Sequence, residues 1–114
     1  MDLINRAIAI IKPRQPFLDW LNSLPDPLDD LTLEELRLGS MAILIPDSEN
    51  QAAAKKYIRT IYAHIFDMEL DAWYHDTNLW PSKRDYRTFI DWFDVEIYEM
   101  VLDVLEDKII KEAY

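Results

Sequence analysis

Two histidines and two aspartates recur along one stretch of this chain: His64, Asp67, Asp71 and His75, at spacings of three, four and four. On a helix they form a single polar stripe, with His64 and Asp71 about 20° apart in projection. Imidazole nitrogens and carboxylate oxygens are ligands for zinc, manganese or iron. A divalent metal held there would support metal-assisted hydrolysis. A catalytic metal also needs a pocket and ligands from other elements, and this stripe lies on the flank or back of the helix relative to its apolar side. A solvated helix surface is the simpler reading.

Glu69 is more unusual. By helical geometry it projects into the apolar stripe, between Ile65, Tyr62 and Trp73. A buried carboxylate is costly unless paired or hydrogen-bonded, and burial raises its pKa. Such a group can act as a general acid or base, the role that would support a hydrolase. The commoner outcome is a partner from another element, and Arg6, Arg37, Arg84 and Arg87 are the candidates.

A third group mixes acids with aromatics: Asp91, Trp92, Asp94, Glu96, Tyr98 and Glu99. On a strand, Asp94 and Glu96 share a face with Trp92 and Tyr98. Paired carboxylates serve glycoside and phosphoryl chemistry. They also serve interfaces, where aromatics anchor and acids steer. Trp92, Asp94, Glu96, Tyr98 and Glu99 are the residues expected to bind a partner.

Other chemistries lack their residues. One glycine cannot build a phosphate-cradling loop, and neither G-x-S-x-G nor H-E-x-x-H occurs. Without cysteine there is no disulfide or thiolate chemistry. Lys55, Lys56 and Arg59 are the only compact basic group. The net charge is -10, and residues 61–114, with 13 acids and five bases, carry -8 of it. That field repels phosphate backbones and anionic lipid, so neither nucleic acid nor membrane is an expected partner. A basic protein is.

These groups must be positioned by one domain spanning residues 1–114, of which half are apolar. Met1–Arg6 does not read as a signal peptide and no apolar run reaches about 20 residues, so a cytoplasmic protein is expected. Ala7–Ile11 reads as a buried strand closed by Lys12-Pro13. Pro16 opens a short helix with Phe17, Trp20, Leu21 and Leu24 on one face. Pro25–Asp30 breaks the chain. Thr32 with Glu35 forms a capping box, and Gly39 ends that helix. Ser40–Ile45 is a second strand. Ser48 with Gln51 caps a long helix, from about Glu49 to Tyr74 or His75, with an apolar stripe through Ile58, Ile61, Tyr62, Ile65, Met68, Ala72 and Trp73.

Ser82 with Asp85 caps a short turn. Thr88–Ile97 fits a third strand, although Phe89, Ile90, Phe93, Ile97 and Val101 also fit a helix. Glu99–Lys111 reads as a terminal helix with Met100, Val101, Val104, Leu105 and Ile109 on its apolar side. Trp20 and Trp73 belong to the core, and Trp80 plugs one end beside Tyr74. The expected fold is α+β, a small three-stranded sheet packed against the long helix and a C-terminal helix; an all-α bundle is the alternative.

The function expected is a small acidic protein-interaction or inhibitor module that binds through its C-terminal half. A metal-dependent hydrolase and a homo-oligomeric structural protein, a dimer for instance, are the alternatives.

Overall fold

The computed structural model describes residues 1–28 and 30–114. Asp29, in the proline-rich break, lies outside the described residues. In order, the elements are β1 (Asp2–Leu3), β2 (Arg6–Pro13), α1 (Gln15–Ser23), α2 (Leu33–Leu38), β3 (Met41–Pro46) and α3 (Gln51–Asp71). A 3-10 turn (Thr77–Leu79), α4 (Tyr86–Trp92), β4 (Phe93–Tyr98) and β5 (Leu102–Asp103) complete them. The fold is α+β. A three-stranded sheet of order β3-β2-β4, antiparallel at both pairings, packs against α3 and α4. A separate two-residue pair joins β1 to β5. No described helix is long and apolar enough to cross a membrane.

Strand β2 is the middle strand, paired to β3 on one side and β4 on the other, and its residues alternate between two faces. Ala7, Ala9, Ile11 and Pro13 are buried, while Arg6, Ile8, Ile10 and Lys12 are half-exposed. Pro13 fits at the strand's end for a geometric reason. Its carbonyl accepts Arg37 Nη1 at 3.0 Å, on the side away from β4. The N–H it lacks would point the same way, beyond Ile11↔Met41 where β3 pairing stops.

Covering the buried face is an aromatic cluster from four elements. Phe17, Trp20, Phe66, Phe89, Trp92 and Phe93 meet at centroid separations of 5.2 to 6.4 Å. Large rings fill the space that Ala7 and Ala9 leave on the sheet. Trp80 closes one end, donating its indole N–H to Tyr74 O at 2.7 Å, and Trp20 donates to Leu79 O at 2.9 Å.

Several boundaries differ from those the sequence predicts. The cap of α3 is Asn50, whose Oδ1 accepts Ala53 N–H at 2.9 Å, while Ser48 Oγ bonds Asn50 O instead. The helix stops at Asp71, so Ala72 and Trp73 lie beyond it, and Trp73 is 40% exposed rather than core. Its buried face runs through Ala54, Ile58, Ile65, Phe66, Glu69 and Leu70. Asp85, not Ser82, caps α4, accepting Thr88 N–H at 2.8 Å.

The Thr88–Ile97 segment is helix and strand in turn. Phe89 and Phe93 share a helical face, while Phe93, Val95 and Ile97 share a strand face. Phe93 belongs to both patterns, and the backbone changes conformation there, at φ -136 and ψ 137. The helix nearest the C-terminus is therefore α4. Glu99–Lys111 is not helical: Leu102–Asp103 is taken up by β1, and residues 104–114 carry no helix or strand. A helix this short is marginal in water without a surface for its apolar side.

Candidate interaction surface

Asp94, Glu96 and Tyr98 come together on the half-exposed sheet face, opposite Lys12, Ile10 and Ile8 of β2. Their charges are already answered. Asp94 takes Arg14 Nη2 at 2.7 Å and Arg37 Nη2 at 3.4 Å. Glu96 takes Lys12 Nζ at 2.7 Å and accepts the Tyr98 hydroxyl at 3.0 Å. The Arg14 hydrogen bond, with help from Arg37, holds the Asp94 carboxyl below its usual range. Hydrogen bonds from Lys12 and Tyr98 do the same for Glu96, and the Glu96 carboxylate in turn pushes the Tyr98 phenol up. Trp92 does not join this face. It is half-buried against Phe17, Trp20 and Phe66. Glu99 is exposed at the start of the next segment.

That next segment carries the largest run of exposed apolar side chains. Val104 and Leu105 are each 65% exposed, Ile109 60% and Ile110 84%. Met100 and Leu102 are exposed as well. Glu99, Asp103, Glu106, Asp107 and Glu112 stand among them with only Lys108 and Lys111 opposing. None of these five acids makes an ion pair among the described residues. These five unneutralised acids are thus beside bare apolar groups, not beside Trp92. The sequence signal was the periodicity of Val101, Val104, Leu105 and Ile109. It predicts a packed helix, whereas the structure half-buries Val101 and leaves Val104, Leu105 and Ile109 exposed.

Glu69 is buried, at 9% exposure, as helical projection predicts. None of the four candidate arginines reaches it. Arg37 is committed to Pro13 O and Asp94, Arg84 to Pro81 O and Asp67, Arg87 to Asp91, and Arg6 to Asn5 O. Burial alone raises its pKa from 4.5 to about 7. It borders a cavity of about 200 Å³ lined by Phe17, Leu31, Leu36 and Trp73, with Glu35 as a second carboxylate.

His64, Asp67 and Asp71 lie exposed on α3, whereas His75 stands beyond the end of the helix, so the four do not form one helical stripe. His75 Nδ1 sits 2.9 Å from Asp71 Oδ1, and Asp67 turns to Arg84 at 3.9 Å. His64, Asp71 and His75 border an open cleft of about 580 Å³ that Met68, Ala72 and Tyr114 also line. Among the described residues, no group of three or more metal-ligating side chains is arranged around one point. Searches against protein-family models, curated proteins and solved structures find no match for this chain.

Proposed function

We propose that this chain is a small protein-interaction module that offers its 99–114 segment to a basic, apolar groove on a partner protein. One observation carries the reading: Val104, Leu105, Ile109 and Ile110 are bare to solvent in a segment with five unpaired acids. Clustered exposed apolar groups flanked by like charge mark interaction surfaces. The i, i+3, i+4, i+8 spacing of Val101, Val104, Leu105 and Ile109 suits a helix lying in a groove. A groove would supply the apolar surface that this segment lacks at home. Ordering it costs about 2–5 kcal/mol of the gross interaction energy. The acids contribute attraction and faster encounter rather than most of the affinity.

The test is affinity capture from host lysate with two baits, the wild-type chain and Leu105→Asp/Ile109→Asp. The captured protein is identified by mass and the pair reassembled from purified components. A basic protein bound one-to-one by the wild type, and at least about tenfold more weakly by the variant, supports the reading. Equal binding by both baits refutes it.

Strand β3 favours a second reading, self-assembly. Its six residues, Met41–Pro46, carry no charge, and Ala42 and Leu44 are exposed at a sheet edge. Sheet edges are usually blunted by charge, as β4 is by Asp94 and Glu96. Light scattering on the eluting protein separates the two readings: 13.6 kDa is one chain, and twice that mass is a dimer. Leu44→Lys would abolish a dimer built on this edge.

A further inference from the structure

Glu69 is nine-tenths buried, and no hydrogen bond or ion pair reaches it among the described residues; its displaced acidity has burial as its only cause. Among the described residues no fully buried side-chain oxygen is left without a partner, so the Glu69 carboxylate oxygens keep an opening toward solvent although the side chain is otherwise enclosed. Here the carboxyl borders a cavity of about 200 Å³. Glu35, Gly39 and Trp73 are the exposed residues at its rim, and Phe17, Leu31 and Leu36 form its apolar wall.

The shape and chemistry of this space select among ligands. A cavity of about 150 Å³ with apolar walls is enough for a benzene-sized guest, so this one holds a chain of a few carbons. Calcium needs six to eight oxygens, and two carboxylates among aliphatic and aromatic walls do not supply them. A primary ammonium needs only a few acceptors, gains from a carboxylate, and is attracted to the face of an indole ring. Its alkyl stem suits the wall.

We propose that this cavity binds a primary alkylammonium group, either a free short-chain amine or the end of a lysine side chain on another protein. The ammonium sits on Glu69 with Glu35 as the second carboxylate, and the stem lies between Phe17 and Trp73. Because Glu69 titrates near pH 7, a bound cation expels to the buffer the fraction of a proton still held there.

Calorimetric titration of the full chain at pH 7 with n-butylammonium tests this. A parallel titration uses lysine blocked at both backbone ends. Each is run in two buffers of different ionisation enthalpy. The expected result is saturable one-to-one binding with proton release, weakened about tenfold or more by Glu69→Gln and less by Glu35→Gln. Gly39→Met should block the site from its rim without strain, since Gly39 has φ -90 and an added Cβ would meet only Leu36 O at 3.7 Å. Tighter binding of butylammonium assigns the site to a free amine, and equal or tighter binding of the blocked lysine assigns it to a side chain. No binding of either amine by the folded wild type overturns the proposal. So does n-butanol binding as tightly as butylammonium, or undiminished binding by a folded Glu69→Gln chain.

Discussion

At the residue scale, Glu69 sets a pH dependence of known sign. The folded carboxyl keeps its proton up to about pH 7, whereas the unfolded one loses it near 4.5. The native state therefore binds more protons between those values, so stability is greatest below pH 4.5, falls as pH rises toward 7, and stays reduced above. The full span is about 3 kcal/mol. Denaturant titrations of wild type and Glu69→Gln should show a stability difference that changes by about that amount between pH 4.5 and 8. A constant difference would mean that the carboxyl is solvated. Asp94 has the opposite sign: its contribution is present at neutral pH and lost as pH falls through its depressed pKa. Both partners of the Asp94–Arg14 pair are more than a third exposed, so screening holds the pair to about 1 kcal/mol or less in an Arg14→Gln/Asp94→Asn double-mutant cycle. Helical projection was enough to place Glu69 inside. It could not show that Arg37, Arg84 and Arg87 are spent elsewhere: Arg87 pairs locally with Asp91, but Arg37 reaches Pro13, 24 residues away, and Arg84 reaches Asp67, and those contacts depend on long-range packing. The sheet-face positions of Asp94, Glu96 and Tyr98 followed from strand alternation. The inward turn of Trp92 did not, because Trp92 belongs to the end of α4 and follows that helix's face.

At the scale of elements, capping gives a discriminating prediction. Asn50→Ala should destabilise the fold by about 1 kcal/mol, because Ala53 N–H loses its acceptor. Ser48→Ala should cost much less, since Ser48 caps no helix N–H. Thermal or urea unfolding of the two variants distinguishes these caps, and the reverse order would restore Ser48. Strands β2 and β3 were legible because each is a short, Ile-rich apolar run closed by a proline, too short for a buried helix of ordinary length. Helix α3 was legible from its long apolar period. The Thr88–Ile97 segment was not, because Phe93 satisfies a period of 3.6 with Phe89 and a period of two with Val95 and Ile97. Only the sheet register, Ile11↔Val95 and Ala9↔Ile97, decides where the strand begins. Glu99–Lys111 misleads for a related reason. Periodicity states which side chains would share a face, but not whether a surface exists to cover it.

At the scale of the whole molecule, the chain separates a packed body from an unpacked acidic segment. The body places aromatic rings from α1, α3, α4 and β4 on one face of the sheet. Phe66, fully buried and in contact with Phe89, Trp92 and Phe93, is central to it. Phe66→Ala should cost about 3–5 kcal/mol in urea unfolding. Leu105→Asp/Ile109→Asp should leave the unfolding midpoint within about 0.5 kcal/mol of wild type, because those side chains are already in water. A large loss of stability would place the segment in the core and remove it as a contact surface. Net charge draws attention to residues 61–114, which carry -8 of the -10. Its distribution within that half became visible only once Lys12, Arg14 and Arg37 were found on Asp94 and Glu96.

The most direct measurement is the affinity of the reassembled pair for three full-length chains at about 0.15 M salt. These are the wild type, Leu105→Asp/Ile109→Asp in the acidic segment, and Leu44→Lys on the sheet edge. The segment variant is expected to lose about tenfold or more while the sheet variant binds as the wild type does. Loss in the sheet variant with full binding by the segment variant would contradict that expectation.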